Sequence, residues 1–220
     1  VAQQIRKIFK EYTELVEPLS LDEAYLDVSA NKIIATEIAR EIRQRIQKEL
    51  GLPSSAGIGP NKMLAKIASD WNKPNGQFEI SEEKVSSFMQ KRPVRKLWGV
   101  GPKTEKQLLK LGIGTCGDMQ PFSLSELIRQ FGKCGAELHD LARGQDARPV
   151  QPHREWKSIS VERTFGAFIT GIETASEKVY HMLEELFSEI KLKNKYNLIT
   201  GVLVKIEFSD FSVTTVGKTG

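Results

Sequence analysis

Residues 20–27, Ser20-Leu21-Asp22-Glu23-Ala24-Tyr25-Leu26-Asp27, set two adjacent carboxylates between short apolar runs. Burying such a pair without a cation would be costly. On a regular strand, neighbouring side chains point to opposite faces, so Asp22 and Glu23 can share a ligand only at a turn or bulge. There they suit Mg²⁺, a hard cation that takes one or two carboxylates together with substrate phosphates. Spacing alone leaves an acidic surface turn as the alternative.

A second candidate is Val94-Arg95-Lys96-Leu97-Trp98-Gly99-Val100-Gly101-Pro102-Lys103-Thr104. It reads as a helix, a G-V-G hairpin, and a helix with Pro102 in its first turn and Leu108 and Leu111 on its inner face. Glycines let a backbone approach a phosphate, and a helix start offers free N–H groups at a positive dipole end. The run resembles the helix-hairpin-helix DNA-binding module, which makes Gly99, Gly101, Lys103, Thr104 and Lys106 candidate DNA contacts, of the kind that hold a backbone without reading sequence. An ordinary helix–helix turn is the alternative. Gly132-Lys133-Cys134-Gly135 is a looser version of the same pattern, with Lys133 as its cation.

The elements that must carry these residues follow from periodicity. Residues 1–90 alternate strands and helices: a helix ending over 6–12, strands near 15–19 and 24–28, then Ile34, Ile38, Ile42, Ile46 and Leu50 at helical spacing, closed by Gly51. A strand over 54–58 and a helix from Asn61 to about Trp71 follow. Asn72, Pro74, Asn75 and Gly76 stop that helix before a strand over 77–80. The layout is helices on a mainly antiparallel sheet. Residues 91–144 are short helices broken by glycines, and 145–157, with two prolines and no period, read as a linker. Ile159, Val161, Arg163 and Phe165 then alternate with Ser158, Ser160, Glu162 and Thr164, which predicts a strand whose polar face could lie along DNA. A helix with Val179, Met182, Leu183, Leu186 and Ile190 on one face and strands over 202–208 and 211–218 complete a β-α-β-β unit. That unit leaves a sheet edge open, so a further C-terminal segment is expected.

Composition sets outer bounds. Hydrophobic residues at 40% and charged residues at 27% of 220 describe a soluble globular chain without a run long enough to span a membrane. No secretory signal is visible, and the absence of an initial Met is expected of a chain that begins inside a longer product. Cys116 and Cys134 lack C-x-x-C spacing and the three histidines are scattered, so a zinc site is not expected and a reducing cytoplasm is. Net charge is +4, but residues 91–157 hold 13 basic and 7 acidic residues, 13 − 7 = +6, leaving −2 elsewhere. A basic middle segment fits phosphate binding, with a solvated surface as the alternative.

SLDEAYLDVS at 20–29, followed by SAGIGPNKMLAKIASDWNKPNGQF at 55–78, closely resembles the palm signature of the Y-family DNA polymerases. The likeness continues through the thumb into the C-terminal "little finger", covering essentially all 220 residues. The fold it implies is α+β: a partial palm over 1–90, an all-α helix-hairpin-helix thumb over 91–144, a linker over 145–157, and a partial little finger over 158–220. It also implies translesion synthesis, in which a dNTP is joined to a primer 3′-hydroxyl by two Mg²⁺ ions on Asp22 and Glu23.

By the same resemblance, Lys66 contacts the incoming triphosphate and neutralises its charge. Read alone, it is a solvent-facing lysine on a helix that buries Met63, Leu64 and Ile67. Tyr25 and Asp27 are expected to shape the hairpin, and Ser158 and Ser160 to touch the duplex backbone. The implied partners are primer-template DNA and dNTP, met by a cytoplasmic monomer without a membrane. A sliding clamp is implied for the parent enzyme through a peptide outside this chain. A complete member also carries an upstream palm aspartate and fingers with a steric gate, so these residues are expected to bind DNA without polymerising. Two rival readings are a non-catalytic helix-hairpin-helix DNA-binding module and a metal-dependent nuclease using the same carboxylates.

Overall fold

Apolar side chains recurring every third or fourth residue drive the first layer of packing. In the computed structural model, which describes residues 1–153, 157–193 and 199–219, the chain forms two compact units, Val1–Arg154 and Glu155–Gly220. In the first unit, α1 (Ala2–Lys10) lays Ile5, Ile8 and Phe9 against Ile38, Ile42 and Ile46 of α2 (Ala35–Leu50). Burying each such isoleucine contributes roughly 1.5–3 kcal/mol. Helix α2 ends at Gly51, whose φ of +70° is the left-handed conformation a glycine adopts without penalty. Ile34, expected on the buried face, is instead the exposed N-cap, because the helix starts one residue later.

Strands β1 (Val16–Pro18) and β2 (Ala24–Leu26) form an antiparallel hairpin, with Val16 opposite Leu26 and Pro18 opposite Ala24. Strand β3 (Ala56–Ile58) pairs with β4 (Gln77–Glu79) in parallel. This departs from the mainly antiparallel sheet expected. The connection between them runs through α3 (Lys62–Ser69), and a helical crossover returns the chain in its original direction where a hairpin would reverse it. Helix and strand touch backbone to backbone. A Cβ on Gly57 would lie 2.0 Å from the Ala65 carbonyl oxygen and 2.2 Å from the Ser69 amide nitrogen, so this strand position must be bare.

Met63, Leu64 and Ala68 of α3 belong to one buried cluster with Ile80, Met89, Val94, Leu97, Leu108, Ile113, Met119, Leu127 and Leu138. Those partners come from α4 (Val85–Gln90), α5 (Pro102–Lys110), α6 (Cys116–Met119), α7 (Leu124–Phe131), α8 (Lys133–Ala142) and their connections. The site-bearing helix and the glycine-rich helical region therefore share one core. Ahead of the G-V-G turn the chain makes only a 3₁₀ turn, Val94–Lys96, in place of the helix expected. Leu111, expected on the inner face of α5, caps that helix and is exposed, while Leu108 is buried.

The second unit holds α9 (Ile172–Leu192) and an antiparallel hairpin of β5 (Gly201–Glu207) and β6 (Val213–Thr219), with Val204 opposite Val216. Residues 158–165 form no strand, contrary to their alternating pattern. A strand needs a neighbour to take its amides and carbonyls, and no described segment pairs with this one. Arg163, expected on the strand's apolar face, binds Glu185 of α9 at 2.6 Å. Ile190 is the one buried apolar side chain among the described residues of this unit. Among the described residues, no helix is long and apolar enough to cross a membrane.

Candidate active site and nucleic-acid interface

The adjacent carboxylates sit on the turn that joins β1 to β2, where neighbouring side chains need not point to opposite faces. The Leu19 amide donates to the Glu23 carbonyl at 2.9 Å and closes the loop. The Ser20 hydroxyl organises the tip: it donates to Asp22 Oδ1 at 2.6 Å and accepts from the Glu23 amide at 3.1 Å. Both carboxylates are exposed. The Ser20 hydrogen bond, then the backbone amide and the nearby Lys66 and Lys73, hold the Asp22 carboxyl below the usual carboxylate range. Asp27 is spent locally, accepting from the Ser29 amide at 2.9 Å, and Tyr25 is half-buried, with its hydroxyl pushed up by burial. Both shape the hairpin.

Helix α3 brings the third residue. Lys62 and Lys66 lie four apart, so both point from one face of α3, and that face meets the hairpin. Lys66 pairs with Glu23, joining two positions 43 residues apart. Lys62 pairs with Glu17 of β1 at 2.6 Å and approaches the Tyr25 ring at 5.3 Å. Among the described residues, no group of three or more His, Cys, Asp or Glu side chains is placed to hold a metal. The donor set here is the two turn carboxylates. It fits a hard cation that completes its shell with water and phosphate, since both carboxylates are exposed.

The G-V-G turn reaches its shape through Gly99, at φ +81° with open space where a Cβ would stand. Gly101 is in ordinary extended backbone and serves as N-cap of α5. Lys103 and Lys106 project from the first turns of α5, exposed and without ion pairs among the described residues, and Thr104 between them is half-buried. Lys133 is exposed at the start of α8, behind Gly132 at φ +60°. The Gly135 position packs against the backbone of α7, where a Cβ would meet the Leu127 carbonyl at 2.1 Å. In the second unit, Ser158 and Ser160 are exposed.

Residues 1–70 match the impB/mucB/samB family, 95–146 match the DNA polymerase-iota thumb domain, and 156–219 match the impB/mucB/samB C-terminal domain. The fold is similar to that of a Y-family DNA polymerase chimera, Dbh-Dpo4(243-245)-Dbh, with a TM-score of 0.80 and 25% identity over all of this chain and 63% of that one. The chain belongs to the Y-family DNA polymerases. Two similar relatives are the DNA polymerases IV of Legionella pneumophila strain Philadelphia 1, 49% identical over 99% of this chain, and of Ralstonia nicotianae, 44% identical over 98%. The chain spans 62% and 61% of their respective lengths.

Y-family membership leaves several supporting residues unnamed that the geometry brings forward. Glu17 and Lys62 fasten the hairpin to α3. Asp146, with its side chain 2% exposed, accepts from the Met63 amide at 3.1 Å and from Arg148 at 2.6 Å. Asn61 donates to the Gly144 carbonyl at 2.7 Å. Residues 146–151 thus lie along the start of α3, in the stretch expected as linker. The available signal was Asp146-Ala147-Arg148, a charge pair inside a segment with no period to explain it.

Proposed function

We propose that this chain supplies part of the catalytic turn and of the DNA-gripping surface of a cytoplasmic, monomeric translesion DNA polymerase. In this reading, 1–90 is palm, 91–144 thumb, 145–157 linker and 158–220 little finger. Asp22 and Glu23 hold Mg²⁺, two ions in the complete centre. Bound there, the ions would neutralise phosphate charge and lower the pKa of the primer 3′-hydroxyl. Ser20 orients Asp22 for that task through its hydrogen bond to Oδ1. Lys66 exchanges Glu23 for the triphosphate of the incoming dNTP, which it neutralises. Gly99, Gly101, Lys103, Thr104, Lys106 and Lys133 hold the primer-template backbone without reading bases, and Ser158 and Ser160 add to that grip from the second unit.

The observation that carries this reading is the contact between Lys66 and Glu23. It assembles at one turn the acidic pair and the one lysine that the family pattern assigns to phosphate. The test is Mn²⁺ titration of the chain followed by electron paramagnetic resonance. Asp22→Asn and Glu23→Gln should each weaken binding at least about tenfold, equivalent to 1.4 kcal/mol. Affinity unchanged in both variants would overturn the assignment. In parallel, Lys103→Ala should weaken duplex binding and lower its salt slope by about one. The 220-residue chain should extend a primer no better than its Asp22→Ala variant. Mg²⁺-dependent cleavage of labelled duplex would instead identify a nuclease.

A further inference from the structure

A cleft of about 640 Å³ opens on the first unit between α3 and the turn that precedes α5. Its volume lies within the roughly 300–1,000 Å³ of small-ligand sites. Lys66, Arg92, Arg95 and Lys96 line it against a single carboxylate, Asp70, which Lys73 already holds at 2.7 Å. Two of the three tryptophans, Trp71 and Trp98, line it as well. They are not equivalent. Trp71 stacks on Phe78 with centroids 5.1 Å apart and carries the Arg92 guanidinium 4.4 Å from its ring. That guanidinium also lies 4.5 Å from the Phe88 ring, and its Nε has no hydrogen-bond partner. Trp98 is 51% exposed, and its one cation or ring neighbour among the described residues is Arg148 at 5.7 Å.

This lining suits a ligand that offers both an aromatic face and negative charge. Along its length a base-paired duplex keeps its base faces stacked inside and presents phosphates and groove edges. An exposed indole therefore adds affinity for an unpaired base alone. The cations are set for the attached backbone: Arg95 is steadied by Glu105 at 2.8 Å, and Lys96 takes part in no ion pair among the described residues.

We propose that this cleft binds one unpaired nucleotide of a DNA strand, with its base stacked on Trp98 and its phosphates drawn to Arg95 and Lys96. Arg92, clamped between aromatic rings, is the fixed cationic wall. Lys66 lines the cleft and pairs with Glu23, so the captured nucleotide is held beside the carboxylate turn. The site needs no metal and stands whether or not Asp22 and Glu23 hold an ion.

The test uses the full 220-residue chain in EDTA, titrated with three labelled DNAs: a short oligothymidylate, an abasic strand of the same length, and a blunt duplex of two fully complementary strands. Anisotropy reads affinity, and tryptophan emission reads stacking. Base–aromatic stacking is worth about 1–3 kcal/mol, so the abasic strand should bind roughly 5- to 150-fold more weakly than the oligothymidylate. Only the oligothymidylate should quench the tryptophans. Trp98→Ala should weaken oligothymidylate by the same factor and leave the abasic strand and the duplex unchanged, and Trp98→Phe should restore most of the loss. Equal affinity for abasic and thymidylate strands would overturn the proposal, as would a Trp98→Ala loss that extends equally to duplex. Failure of a folded Trp98→Phe chain to recover binding would count the same way. Loss of duplex binding by Lys103→Ala with base selectivity intact leaves this cleft standing, so the two readings fail separately.

Discussion

At the base of the β1–β2 hairpin Glu17 meets Lys62, and at its tip Glu23 meets Lys66. The partners are chemically identical, and both lysines leave the same face of α3. Their surroundings differ. Lys62 and Glu17 are 11% and 13% exposed, and Pro149 and Gln151 close over them: Lys62 donates to the Pro149 carbonyl at 3.0 Å, and the Gln151 amide donates to Glu17 at 2.8 Å. Lys66 and Glu23 are 31% and 41% exposed. Water can replace either partner at the tip at little cost, whereas at the base the removal of one partner strands a charge. One pair is covered and the other stands open to solvent.

The largest expected effect tests the base. Removing one member of a buried ion pair leaves the other uncompensated, so Glu17→Ala should destabilise the chain by about 2–3 kcal/mol, somewhat below the value for a fully dry pair. Chemical denaturation measures this directly. A loss below about 0.5 kcal/mol, the scale of exposed pairs, would erase the distinction between base and tip.

Next in size is Asp146, which ties the same region to the start of α3. Burial pushes its carboxyl up, but Arg148 and the Met63 amide outweigh this and leave it below the usual range. A depressed folded pKa contributes stability that is fully present above the unfolded value, about 3.9, and is lost as pH falls through the folded one. Asp146→Asn should therefore cost about 1–2 kcal/mol at neutral pH and flatten the decline in stability below about pH 4. An unchanged acid limb would show that Asp146 does not anchor the helix.

Much of the tip was legible in the sequence and little of the base. The carboxylate pair, Asn61, which caps α3 by accepting from the Leu64 amide at 3.0 Å, and the helix bearing Lys66 announce themselves through local pattern, because turns and caps are set by neighbours a few residues away. The pairing of Lys62 with Glu17 joins positions 45 apart, and the closures by Pro149 and Gln151 join positions 87 and 134 apart. No local period encodes either. The same limit explains the misplaced strand at 158–165. Its alternation is real, but a strand exists only where a partner takes its hydrogen bonds. The parallel pairing of β3 with β4 was likewise hidden, since two short apolar runs look alike in either direction and only the crossover through α3 decides.

A smaller effect is expected at the tip. Glu23→Gln should change stability by no more than about 0.5 kcal/mol, since exposed pairs contribute little, even as it weakens Mn²⁺ binding. A stability loss matching that of Glu17→Ala would make Glu23 a structural residue and remove the contrast.

The smallest effect carries the most information about exchange. If Lys66 and a divalent ion compete for Glu23, then Lys66→Met frees the carboxylate and should raise Mn²⁺ affinity, by no more than about fivefold given the 0–1 kcal/mol typical of an exposed pair. Lys62→Met, on the same face of α3, should not raise it at all, because Glu17 lies at the other end of the hairpin and its loss of a partner costs stability. A fall in Mn²⁺ affinity for Lys66→Met would mean that the lysine organises the turn and does not occupy it. The ammonium would then belong to the resting architecture, and its transfer to a triphosphate would have no driving contact to give up.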